Sequence, residues 1–434
     1  MVKTNRYLLG AAIAGLALAS APGHATNGYF AHGYGTKNNG MAGAGVALPQ
    51  DAMAAATNPA GMVWVGDRMD LGVALFSPHR EYSATAITGG LGANGGTSGS
   101  NVSSDNEYFL IPHYGRNWAS GGSSSFGLSV YGNGGMNTEY KAADTPFGLG
   151  TFQGGDTGVD LMQLFVAPTW AKKTSDSFSW GISPILAYQR FSAKGLNPFA
   201  TLSTDSGNLS NRGADSSFGY GARIGMLSQL SPTVTFGASY QSRIYMDEFD
   251  KYKGLFAEQG DFDIPASATV GFAWKTSNVS TLAVDLQWIG YGDIASIANP
   301  ISPAINNCMG GQASYCLGGD NGMGFGWDDM TVLKIGYQWE TSPQMTWRVG
   351  YSHGDQPIPT TEVLFNILAP GVIEDHITFG FTRQTGPGSE FNFAFMYALE
   401  EKVTGVNNLG APSGQTIELK MDQWQLEASW GWTF

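Results

Sequence analysis

The chain is predicted to be all-β, a fourteen-stranded antiparallel transmembrane β-barrel plugged by an N-terminal hatch, on three observations. Segments of period-two apolar alternation recur from Met69 to the C-terminus, and the gaps between them are alternately long and short. No apolar run after Ala25 is long enough for a membrane helix, and charged residues make up 13% of the chain, against roughly 25% in a soluble domain. The third observation is the run 27–61, built mostly of Gly, Ala, Asn and Met with very little charge, which makes a poor soluble domain and calls for a container. A closed barrel satisfies every backbone polar group inside a bilayer, and its strands look only mildly hydrophobic because lipid-facing and lumen-facing residues alternate.

The chain divides accordingly. Residues 1–25 carry Lys3 and Arg6, an apolar core over 7–19, and Gly23-His24-Ala25, the three regions of a secretory signal peptide. Residues 26–66 form the hatch. Small side chains there allow close backbone packing against a wall, and in the tripeptide Asn58, Pro59, Ala60 the proline blocks helix continuation and biases Asn58 toward an extended conformation. Residues 67–434 form the barrel.

The first strand holds the apolar set Leu71, Val73 and Leu75, followed by a long polar loop over 89–104. A second, with Phe109 and Ile111, turns through 120–124 into a third with Phe126, Leu128 and Val130. Strands four (159–172) and five (178–191) meet at 174–176, and six (218–230) and seven (233–245) meet at Ser231-Pro232. Strands eight (266–275) and nine (281–291) turn at Ser277-Asn278; ten (330–340) and eleven (345–352) turn at Ser342-Pro343. Twelve (376–384) and thirteen (390–400) turn at Gly386-Pro387-Gly388, and the last strand, 416–434, ends the chain. Fourteen is an even number, with short turns for the periplasmic side and long loops for the outside, the longest over 293–329. These segments approach the ~9 to 11 residues that cross a bilayer, longer than the ~5 to 6 typical of a soluble sandwich.

Parity assigns the faces, because side chains i and i+2 share one surface. In the last strand Trp424, Leu426, Ala428, Trp430, Trp432 and Phe434 share the lipid face, with Gln423, Gln425, Glu427, Ser429 and Gly431 opposite. In strand thirteen Asn392, Ala394, Met396, Ala398 and Glu400 face inward. Arg223, Arg243, Lys334 and Arg348 fall on the lumen parity, with Asp285 and Glu427 as partners. They serve either to pair across the lumen and to the hatch, or to contact an anionic head group. Arg190 falls on the lipid parity near a strand end. In the third strand Gly132, Asn133, Gly134, Gly135 stand where a spanning strand should continue; this run either kinks the strand and opens a gap with its neighbour or ends it early.

The net charge of −13 argues against nucleic acid. Cys308 and Cys316 share one Gly-rich loop, and in an exported chain a local disulfide is the favoured reading. No metal site is expected at two cysteines without nearby histidines, and no cofactor is expected. The scattered histidines 32, 79, 113, 353 and 376 lack a nucleophile elbow, so an outer-membrane enzyme is disfavoured.

The chain resembles the FadL/TodX family of outer-membrane transporters of long-chain fatty acids and hydrocarbons. The resemblance is carried by NGYFAHGYGTKNNGMAGAG at the mature N-terminus, Asn58-Pro59-Ala60, the Gly-interrupted third strand, Asp355-Gln356-Pro357-Ile358-Pro359 and the terminal Phe434. It implies a monomeric barrel in the outer membrane of a Gram-negative bacterium, in contact with outer-membrane lipids and inserted by the barrel assembly machinery through Phe434. It implies no enzyme, but passive uptake of a long-chain fatty acid or another apolar molecule, with hatch-gated lateral exit at the third strand. By the same resemblance Arg190, after Tyr188, would meet a carboxylate. Trp327, Asp328 and Asp329 stand where a basic residue is expected, which leaves room for uptake of aromatic or alkane hydrocarbons. Apolar loop residues that would line a capture groove are Phe147, Leu149, Phe152, Phe199, Leu202, Leu255, Phe256, Leu364, Phe365, Ile367 and Leu368. A general porin is the rival reading, and it has no use for a Gly/Ala-rich plug.

Overall fold

The computed structural model describes residues 26–85, 99–407, 409 and 414–434. The expected leader, 1–25, and most of the first long loop lie outside the described residues. Of the sixteen strands in the single sheet, fourteen form the wall. They are β1 (Arg68–Ala84), β2 (Phe109–Ser120), β3 (Ser124–Tyr140), β4 (Thr157–Ser175), β5 (Phe178–Lys194), β6 (Asp215–Gln229) and β7 (Val234–Gln241), then β8 (Ser267–Ser277), β9 (Ser280–Ile289), β10 (Met330–Ser342), β11 (Met345–Gly354), β12 (Asp375–Gly386), β13 (Ser389–Val406) and β14 (Thr416–Thr433). Each pairs antiparallel with its sequence neighbours, and β14 closes on β1 from Arg68↔Thr433 to Ala84↔Ile417. The sheet therefore closes on itself from the last strand to the first, which is what a strand-built wall needs in lipid.

Three details depart from the sequence expectation. β7 is shorter, stopping at Gln241; pairing with β6 resumes only at a two-residue strand, Tyr245–Met246, so Arg243 lies outside the regular wall. In β13 a bulge between Ala398 and Glu401 shifts the register, so Glu400 is exposed and near Lys402 and Lys420 rather than in the lumen. The far end of the first long loop folds back as a strand, Gly99–Ser103, on β1.

Along β14 the inward residues are polar near the short turns (Gln423, Gln425, Glu427, Ser429) and apolar near the long loops (Ile417, Leu419, Met421). The lumen is thus divided into a hydrogen-bonding half and an oily half. The apolar half merges with the folded loops into one continuous core that includes Phe199, Phe249, Phe256, Tyr291, Trp327 and Phe365. The loop between β9 and β10 is not irregular throughout: it carries helices Ala295–Ala298 and Ile301–Met309 and the bridge joining Cys308 to Cys316, Cα atoms 4.8 Å apart. Among the described residues no helix is long and apolar enough to cross a membrane.

Candidate functional site

Residues 26–66 run through the barrel interior and are bonded to strands all round the wall. At the short-turn end Lys37 Nζ is 2.6 Å from Glu390, and Ala52 N donates to Asp70 at 2.9 Å. Arg68 pairs with both of those carboxylates. Glu427 accepts from Thr36 Oγ1 at 2.9 Å and from the Asn39 amide, while Lys334 Nζ donates to the carbonyl of His32 at 2.9 Å. Buried polar groups this far from water are stable only when so partnered.

The Asn58-Pro59-Ala60 tripeptide latches the plug to β5 and β6. Asn58 Nδ2 donates to the carbonyls of Val46 (2.7 Å) and Met226 (3.0 Å), and its Oδ1 accepts from Ala60 N at 3.1 Å, capping the turn Pro59–Trp64 with proline at its first position. Ser179 Oγ donates to the Ala60 carbonyl at 2.9 Å. The fit requires a bare backbone at Gly225, where a Cβ would stand 2.0 Å from Asn58 Oδ1.

At the third strand the chain kinks and continues. β3 keeps its pairing with β4 up to Tyr140↔Thr157, with a bulge at Asn133 between Gly132 and Gly134. Pairing between β3 and β2 ends at Tyr114↔Val130, leaving residues 131–140 without that neighbour. The plug's first residues meet β3 from inside: Ala31 N donates to the Asn133 carbonyl at 2.8 Å and Gly135 N to the Tyr29 carbonyl at 3.0 Å. Only glycine permits this approach, since a Cβ on Gly134 would lie 1.9 Å from the Tyr29 oxygen. The segment is tied on its other side to the loop after β9. Tyr291 Oη donates to the Asn27 carbonyl at 2.5 Å and accepts from Tyr29 N at 3.1 Å.

Above this tether, among the long loops, lies a cavity lined by Phe191, Phe199, Phe256, Phe325, Phe365 and Leu368 together with other apolar residues and Ser296. No charged side chain lines it. A smaller cavity adjoins the wall gap, bounded by Tyr29, Arg80, residues 136–138, Trp327 and residues 368–371. Leu368 lines both. The ring of Trp327 packs 6.0 Å from Tyr29 and 5.0 Å from Tyr291, and a further, polar cavity is bordered by His32, Arg223 and Lys334.

The basic residues singled out by sequence divide into three groups. Arg223, Lys334 and Arg348 are buried in the lumen but bound to plug and wall: Arg223 to Gln241 at 2.6 Å, Arg348 to Gln50 at 3.1 Å and Thr382 at 2.7 Å. Arg243 is not a lumen residue; it sits in the loop after β7 between Asp263 and Asp261. Arg190 points out of the wall, 2.8 Å from Asp160, and reaches neither cavity, because the strand alternation that buries Phe191 turns its neighbour outward. Of the loop residues, Phe199, Leu255, Phe256, Phe365 and Leu368 line the upper cavity, whereas Phe147 is 95% exposed and lies outside it. Sequence reasoning missed Arg80, although its parity with the inward-facing Ala74 and Phe76 on β1 marks it as a lumen residue.

The sequence model of the family described as outer membrane protein transport protein (OMPP1/FadL/TodX) matches residues 15–428. No curated protein sequence matches the chain significantly. Among solved structures, the Pseudomonas putida toluene transporter TodX aligns with TM-score 0.65 and 17% identity over 93% of this chain and 99% of its own. A Pseudomonas aeruginosa FadL homologue aligns with TM-score 0.69 and 17% identity over 94% and 100%. The Ralstonia pickettii toluene transporter TbuX aligns with TM-score 0.61 and 16% identity over 93% and 99%. At these identities the likeness is one of fold.

Proposed function

From the premise that this chain belongs to the OMPP1/FadL/TodX family of outer membrane transport proteins, transporters of hydrophobic compounds seated as β-barrels in the Gram-negative outer membrane, we propose that it takes up apolar molecules by lateral release through its own wall. A molecule with a long apolar body enters the cavity among the loops, passes Leu368, and leaves between β2 and β3 into the outer leaflet. The observation that carries this reading is the loss of β2–β3 pairing beyond Val130, with the plug's first residues hydrogen-bonded to β3 there. Withdrawal from water into the upper cavity is favourable by about 0.8 kcal/mol per methylene, and a sideways exit never returns the chain to water.

Long-chain fatty acids are the first substrate class. A second, neutral aromatic hydrocarbons, is favoured by the upper cavity's lack of charged lining, and two of the similar structures are toluene transporters. The plug acts as a hatch: its displacement from Gly134 is the opening step. The barrel works as a monomer, and Phe434, whose ring lies 4.6 Å from the Arg116 guanidinium, is the signal for barrel assembly. Uptake of a labelled long-chain fatty acid and of labelled toluene by cells expressing this chain, against cells without it, tests the proposal. Stimulated uptake of either is expected. High ion conductance of the intact protein in planar bilayers, unchanged on removal of residues 26–61, would make it an open porin instead.

A further inference from the structure

We infer that residues 104–107 form a lintel over the lateral gap, closing it from above and limiting the width of what leaves; the inference rests on the proposed sideways exit and deepens it. Pairing of β2 with β3 ends at Tyr114↔Val130. Nine residues back from Tyr114 and nine on from Val130, the two chains meet again. Asp105 N donates to the Glu139 carbonyl at 2.8 Å, and the return bond, from Glu139 N, goes to Ser104 Oγ at 2.9 Å. An uninterrupted antiparallel ladder would bring Asp105 and Glu139 together, because each step along one strand is matched by one step along the other. The gap is therefore a stretch of missing rungs in a ladder whose register survives. It is bounded above as well as below.

The lintel is fastened on both sides. Toward β1, Ser104 N donates to the Arg80 carbonyl at 2.8 Å, Arg80 Nη2 donates to the carbonyl of Asn106, and Glu107 acts electrostatically on the same guanidinium. Ser104 is 1% exposed, so a hydroxyl that lost Glu139 would have little water to replace it. Toward the loops, the upper part of β3 is braced: Thr138 Oγ1 donates to the Leu368 carbonyl at 2.8 Å and Tyr140 Oη to the Ile367 carbonyl at 3.0 Å. The Tyr140 ring also packs 5.0 Å from Tyr82 of β1. Lifting the lintel breaks several of these contacts together, whereas a molecule passing under it breaks none of them. In a slit open at the top, a wide end group could stay outside the wall while its chain slid down into lipid. Under a lintel every part of the molecule must pass through the frame, so single alkyl chains and single aromatic rings are favoured over molecules with a wide end.

The test is uptake of a slim and a wide member of two labelled series, palmitate against palmitoyl lysophosphatidylcholine and toluene against tri-isopropylbenzene, by cells with and without the full-length chain. The wild type should stimulate uptake of a slim member and not of its wide counterpart. Ser104→Ala with Asp105→Pro removes both bonds to Glu139, and should raise the wide-to-slim ratio severalfold in protein whose heat-modifiable migration shows a folded barrel. Asp105→Cys with Glu139→Cys ties the lintel down on oxidation, and slim uptake should be the same oxidised and reduced. Equal uptake of slim and wide members by the wild type overturns the lintel without needing any variant to fold. An unchanged ratio in the released variant overturns it too, and so does slim uptake that stops on oxidation, since the strap would then be a gate that has to lift. If the wild type stimulates uptake of neither slim compound, the proposed passage itself fails, and the lintel fails with it.

Discussion

Oδ2 of Asp285, on β9, accepts the backbone N–H of Gly45 at 2.7 Å, and the same oxygen accepts the next amide, that of Val46, at 2.8 Å. One wall carboxylate thus holds a turn of the plug by two charge-assisted bonds, beside Lys334 in the paired strand. Asp285→Ala should leave two buried donors unpaired and destabilise the plugged barrel by about 2–4 kcal/mol. Faster amide hydrogen exchange at Gly45 and Val46, with wall strands still protected, is the expected result. Unchanged exchange would mean the plug is held elsewhere.

The contact of Gly134 with Tyr29 gives a second prediction. Gly134→Val puts side-chain atoms where the Tyr29 carbonyl now sits, so the plug's first residues must move or β3 must shift. Overpacking of this kind costs about 1–3 kcal/mol. The Ala31 and Gly135 amides should lose exchange protection, and uptake should change while heat-modifiable migration of the barrel on gels persists. A variant with wild-type uptake and wild-type exchange would separate the kink from transport.

Leu368 stands between the two cavities. Leu368→Trp should narrow the route and lower uptake severalfold, at an overpacking cost of about 1–3 kcal/mol. Phe365→Ala enlarges the upper cavity without blocking it, and is expected to shift preference toward bulkier ligands. Equal uptake by wild type and Leu368→Trp would mean that substrate does not pass this residue.

Outside the membrane-spanning strands, burial pushes the Asp261 carboxyl up to about 7, and the neighbouring Asp263 adds to the rise while Arg243 opposes it. Its folded value lies above the ordinary 3.8, so the protonated form is favoured by folding. The stabilisation is complete below that ordinary value and is lost as pH rises through about 7. Thermal stability relative to Asp261→Asn should therefore fall between about pH 4 and 7 in the wild type. Parallel pH profiles for the two proteins would remove Asp261 from the account.

Much of this molecule is legible in a single sequence. Period-two alternation is a property of each strand alone, so the number of wall strands, the polar inner face of β14 from Gln423 to Ser429, and the short turns such as Ser342-Pro343 could be read without knowing any neighbour. The Asn58-Pro59-Ala60 tripeptide and the glycines at 132–135 were conspicuous because such residues are poor components of a spanning strand. Parity also placed Arg223, Lys334 and Arg348 inside.

What parity could not give was the partner of each inward group, because partners across a lumen are fixed by closure and register rather than by spacing. Only the closed barrel decided that Glu427 holds Thr36 and Asn39 and that Arg348 meets Gln50. A bulge reversed Glu400, and an early strand end took Arg243 out of the wall; each depends on a local break in the ladder that alternation does not announce. Arg80 kept its parity, but its burial at the edge of a small cavity was decided only when the loops had folded over it. The sequence determined the wall and its two faces; the tertiary structure decided which inward groups are bound to the plug and which of them border a cavity.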